Sequence, residues 1–172
     1  MIAAESGGLF DTINGLPVHP LVVHAAVVLI PLAAIGVLVM VFWPRFSRSF
    51  GIAVVVTAAL ATGAAFVAKE AGEALASRVG EPGFDHQELG DVMPIVAGVL
   101  LLAAIGLWLI DRRTESDASG STRWVRIAVA TLAAVIAVGN LVWIYRVGDS
   151  GARSVWAGQV AGGPQTNGDT DD

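Results

Sequence analysis

The sequence predicts an all-α fold, a four-helix transmembrane bundle with an outer loop between the second and third helices. Three observations predict it. Hydrophobic residues make up 55% of the 172 and charged residues only 15%. The apolar residues fall into four continuous blocks, and the arginines gather in alternate connections. A soluble chain of this size has no single core large enough to hide so much apolar surface. A bilayer supplies that apolar solvent, and inside it only helices and closed barrels satisfy their backbone groups. The blocks are continuous rather than alternating, which selects helices.

The first block covers about residues 20–43 and carries no charged side chain. It is long enough to cross with some tilt. Pro20 suits a first helical turn, where no N–H partner is needed. Pro31 falls mid-helix, and Pro44 suits a stop. The second block covers about residues 50–68 and is rich in Ala, Val, Thr and Gly. Ala59 and Gly63, four apart, predict a closely packed face and a central place for this helix. The third block covers about 92–110, with Pro94 in its first turn, and the fourth about 125–145. Trp43, Trp108, Trp124, Trp143 and Tyr145 lie near block ends, as an interfacial aromatic belt requires.

The domain plan follows. Residues 1–18 form an N-terminal segment, 19–146 the transmembrane domain, and 147–172 a C-terminal segment, disordered from about 161 by its Gly, Asp and Thr content. The start has no basic n-region, so no cleavable signal peptide is expected. Arg45 and Arg48 lie in the first connection, and Arg112, Arg113, Arg123 and Arg126 in or beside the third. The positive-inside rule places these in the cytoplasm of a bacterial cell, at the inner (plasma) membrane. Both termini and the second connection then face outward. In that connection Lys69 to Arg78 extends the second helix until Gly80 and Pro82-Gly83 break it.

Several function classes drop out. With no cysteine there is no disulfide, thiolate nucleophile, c-type haem attachment or iron–sulfur site. The formal net charge of −5 gives nucleic-acid binding no support. No phosphate-binding loop, dinucleotide fingerprint, zincin motif or serine nucleophile elbow is present.

The three histidines, His19, His24 and His86, all fall on the predicted outer side. His24 lies about 7 Å deeper than His19 along the first helix. An ionisable group within a span points to function, although a neutral imidazole bridging helices is the plainer alternative. Thr62 and Asn140 reach a similar depth, so a polar membrane layer around His24 is expected. Five residues turn a helix about 140°, so His19 and His24 cannot share a face. His19 otherwise reads as a solvated residue at the helix mouth. Asp85, His86, Glu88 and Asp91 could ligate a hard metal, or simply complement the dipole of the third helix. Arg146 and Asp149 read as a surface pair, with Gly148, Gly151 and Ala152 turning the chain after the fourth helix.

The stretch Gly15-Leu-Pro-Val-His-Pro-Leu-Val-Val-His24 resembles the opening signature of a bacterial membrane family, domain of unknown function 2231. Asp85-His-Gln-Glu-Leu-Gly-Asp91 and Gly148-Asp-Ser-Gly-Ala-Arg-Ser-Val-Trp156 fit it too, in order, so the resemblance covers about residues 15–160. It implies a four-helix membrane domain without an established activity. Related domains occur beside cytochrome-type modules, which implies a redox membrane protein or cytochrome as partner. Some relatives carry His where this chain has Asp149. Two functions follow as expectations. One is a non-catalytic membrane subunit or scaffold. The other is a membrane electron-transfer component holding b-type haem or a metal at the outer face through His24 and His86, with His19 or Met93 as further ligands.

Overall fold

The computed structural model describes residues 12–13, 16–79, 86–113 and 120–160. Four helices account for nearly all of them. They are α1 (Val18–Phe42), α2 (Pro44–Val79), α3 (His86–Arg113) and α4 (Gly120–Val160). Ahead of α1, β1 (Thr12–Ile13) and β2 (Leu16–Pro17) pair antiparallel, Thr12 opposite Pro17 and Ile13 opposite Leu16. All four helices are long and apolar enough to cross a membrane.

The helices stand in a square in chain order. α1 packs on α2, α2 on α3, α3 on α4, and α4 closes back on α1, while α1 and α3 touch only lightly across the diagonal. Short connections force this antiparallel arrangement. α2 therefore has two flanking neighbours like every other helix and is not central, which corrects the expectation from its small residues.

One end of the bundle carries the first and third connections and is called the arginine end below. The other carries the starts of α1 and α3 and the finishes of α2 and α4, and is the histidine end. Buried side chains form two groups. Val37, Met40, Leu100 and Leu107 lead the group toward the arginine end. Ile30, Ala65, Met93 and Ala97 lie toward the histidine end. Large aliphatics such as Val28, Ile95, Leu102 and Val135 point outward, as expected where the surrounding solvent is hydrocarbon.

The seam of α2 that packs is Ala58, Ala61 and Ala65. Ala59 and Gly63 are exposed, and a side chain added at Gly63 would meet nothing within 4 Å. The packed face is thus rotated by one residue, about 100°, from the expected one. Close approach instead occurs at Gly51, against which the Trp108 ring of α3 lies, and at Gly36, where a Cβ would come within 3.0 Å of Val54.

Two boundaries differ from expectation. Pro94 is not in a first turn, because α3 begins eight residues earlier at His86. α4 does not turn at Gly148 and Gly151 but runs on to Val160. Asp149 pairs there with Arg153, one turn on, at 2.9 Å. Arg146 instead sits over the Trp143 ring, 5.9 Å from its centroid. The continuing i to i+4 ladder supplies every backbone partner that a turn would have had to find elsewhere. The expected disordered tail from 161 and the breakers Gly80 and Pro82-Gly83 lie outside the described residues.

Among the described residues an ion pair closes the arginine end. Arg126 Nε donates to Asp111 Oδ1 at 2.7 Å, and Arg126 Nη2 donates to the Val41 carbonyl at 3.2 Å. Asp111 is 1% exposed. One guanidinium thereby joins α4, α3 and α1. A rigid fork with several donors suits this, since it can satisfy a carboxylate and a helix-end carbonyl together. Ser47 is fully buried at the same end, on α2.

Candidate functional site: a two-histidine cavity

At the histidine end the square does not close. A cavity of about 510 Å³ lies between the C-terminal parts of α2 and α4 and the N-terminal parts of α1 and α3. Its size is that of a small-molecule site. The floor is apolar, with Ala26, Val27, Ala65, Met93 and Ile144. Toward the helix ends the walls become polar, with His19, Lys69, Glu73, His86, Gln87 and Asp91.

Each histidine ring is tied to the main chain of a neighbouring helix. His19 Nδ1 donates to the Ala68 carbonyl on α2 at 2.8 Å. His86 Nδ1 donates to the Val147 carbonyl on α4 at 3.2 Å and is also 3.2 Å from Ser150 Oγ. A carbonyl only accepts, so the shared hydrogen sits on Nδ1 in both rings. In a neutral imidazole Nε2 is then an acceptor. Neither Nε2 has a hydrogen bond among the described residues.

Glycine sets the position of both rings. A Cβ at Gly72 would lie 3.1 Å from His19 Nδ1 and Cε1, and one at Gly151 would lie 2.9 Å from His86 Cε1. His19 thus lies flat on α2 and His86 flat on α4. Both rings line the same cavity. This is the work Gly151 does in place of the expected turn. It admits an imidazole against the helix backbone.

His24 belongs elsewhere. It is exposed on α1, bonded through Nδ1 to the Pro20 carbonyl one turn back, and is not a wall of the cavity. The 140° turn that separates it from His19 sends one ring inward and the other outward. His19 therefore takes the place the sequence suggested for His24. The expected polar layer around His24 does not form. Thr62 bonds to Ala58 on its own helix, and Asn140, 2% exposed, donates to Ile136 on its own helix. Met93 is in the cavity floor. Of the acidic ligand set, Asp91 is in the wall, Glu88 is exposed, and Asp85 lies outside the described residues. Among the described residues no three His, Cys, Asp or Glu side chains are grouped to hold a metal ion.

Lys69 organises the rim. Its ammonium hydrogen-bonds Glu73 and lies 3.9 Å from Glu70 and 4.0 Å from Asp91, so it links α2 to α3. Trp143 Nε1 donates to the Leu89 carbonyl at 3.2 Å and ties α4 to α3 just below. Sequence reasoning missed Gly72, Lys69 and the Asp111–Arg126 pair. The last had a readable signal: an acid ending one apolar block and a base opening the next.

A family model described as "Predicted membrane protein (DUF2231)" matches residues 15–164. No curated protein and no solved structure matches the chain.

Proposed function

On the premise that the chain belongs to this family of predicted membrane proteins, we propose that it is a non-catalytic membrane subunit built to hold a small ligand at its histidine end. The arginine end faces the cytoplasm and the cavity faces outward from the inner (plasma) membrane of a bacterial cell. The arginine asymmetry of the connections supports this orientation.

One observation carries the ligand reading. Both cavity imidazoles donate Nδ1 to main-chain carbonyls, which fixes each tautomer and leaves Nε2 available. Helix ties alone need no cavity, and this one is of ligand size with polar groups converging at one end. The test is ligand content. Native mass spectrometry of the purified protein should find a small molecule retained by wild type and lost from His19→Ala and His86→Ala. Equal content in all three proteins would leave the histidines as helix ties alone.

A second reading is favoured by the same tautomers. Metal-ligating histidines characteristically donate their other ring nitrogen to a carbonyl or carboxylate. A bare ion asks for three or four protein ligands, whereas a porphyrin supplies four and leaves two axial places. His19 and His86 would then hold a b-type haem, with a redox membrane protein or cytochrome as partner. A visible spectrum decides this. A haem absorption band in wild type, lost in both variants, supports it, and a colourless wild-type protein overturns it.

A further inference from the structure

The cavity has a surplus of hydrogen-bond acceptors. His19 Nε2 and His86 Nε2 accept, Gln87 Oε1 is buried with no partner among the described residues, and Glu73 and Asp91 are carboxylates. Two of its donor groups are already occupied. The Lys69 ammonium is held among Glu73, Glu70 and Asp91, and the Ser154 hydroxyl donates to the Gly151 carbonyl at 2.7 Å. A guest that brings donors suits the two free imidazole nitrogens.

Three further facts narrow the guest. The acidic rim disfavours a carboxylate or phosphate. The two imidazoles lie against different helices, α2 and α4, so donors at two ends of one rigid head fit better than donors clustered at one atom. Finally, Val27 is both a cavity wall and 47% exposed. It lies about 13 Å along α1 from the helix start, within the apolar span. The cavity thus reaches down to the apolar part of the span. An amphiphile can lay its apolar part along this floor and its head between the histidines.

Resting on the ligand-cavity reading above, we propose that the site takes a membrane quinol, an uncharged amphiphile whose aromatic head carries two hydroxyl donors. One hydroxyl donates to His19 Nε2 and the other to His86 Nε2. The oxidised quinone has only carbonyl acceptors and finds acceptors facing it. The site therefore discriminates by hydrogen-bond polarity, and binding alone is proposed.

The test uses the whole protein in nanodiscs at pH 8, where an ordinary imidazole is neutral. Decylubiquinol, kept reduced under anaerobic conditions, is compared with decylubiquinone by equilibrium binding. The quinol should bind about tenfold more tightly, the effect expected of two net hydrogen bonds. His86→Phe should cut the preference to about threefold, since the His19 bond remains. Val27→Trp, at an exposed position that leaves the fold intact, should weaken quinol binding by crowding the apolar floor. Equal or stronger binding of the quinone overturns the proposal, as does an unchanged preference in His86→Phe. A wild-type protein that binds neither probe but retains another molecule, lost from the histidine variants, overturns the quinol while keeping the ligand cavity. A protein that holds nothing overturns both.

Discussion

The two ends of this bundle solve the same packing problem in opposite ways. At the arginine end a charged side chain is drawn inward, and Arg126 spends its donors on Asp111 and on the Val41 carbonyl. Trp108 fills the space that Gly51 leaves. At the histidine end glycines also admit rings, at Gly72 and Gly151, but the rings border a cavity. The arginine end is a closed lock and the histidine end a lined opening. In lipid no hydrophobic force presses helices together. What closes one end is thus polar pairing and close fit, while at the other two imidazoles seated on glycines line a cavity.

The largest break in this contrast should come from Asp111→Ala. It strands the Arg126 guanidinium, which is largely buried, and breaking such a pair from one side costs about 3–5 kcal/mol. Thermal unfolding in detergent should show a marked drop in Tm, and a wild-type Tm would mean that the pair does not hold the end. A matched pair of changes sharpens the contrast. Gly51→Ala places a methyl group into the Trp108 ring, where overpacking costs about 1–3 kcal/mol. Gly151→Ala meets the His86 ring instead, which can swing into the cavity, and alanine's better helix propensity offsets about 1 kcal/mol. Gly51→Ala should therefore lower Tm more than Gly151→Ala, while Gly151→Ala alone alters ligand binding. Equal shifts would show that the histidine end is packed as tightly as the other. The smallest effect is expected for Gly63→Leu, within about 0.5 kcal/mol, since its side chain points away from all described neighbours. A large drop would place the seam of α2 back on the Ala59–Gly63 face.

The four spans were legible because charge-free apolar blocks of that length have no other stable home, and the family match covers the same residues. Which face of each helix packs was not legible. In water the apolar face of a helix is the buried one, so periodicity reports burial. In lipid both faces are apolar, and Ala58–Ala61–Ala65 and Ala59–Gly63 look equally suitable. The neighbour decides, through residues such as Val37 and Leu100 that no local pattern marks. The site was half legible for a related reason. Depth could be estimated from the rise per residue, which put all three histidines at one end. Rotation could not, because the start of α1 at Val18 fixes which of His19 and His24 turns inward. Gly148 and Gly151 misled because glycine serves both turns and close approach, and only the partner ring shows which.

The Asp111–Arg126 pair also bears on the order in which the chain is made. Asp111 and Arg126 are 15 residues apart, whereas Arg126 and the Val41 carbonyl are 85 apart. As the polypeptide emerges, α1, α2 and α3 are synthesised before any residue that can satisfy Asp111 in this way. An unpaired carboxylate at the end of a span is costly in hydrocarbon, so α3 gains a reason to stay at the water boundary until the first turns of α4 arrive. The guanidinium then neutralises Asp111 and reaches the end of the first helix in a single placement. The fourth helix, made after the other three, is the one that fastens α1.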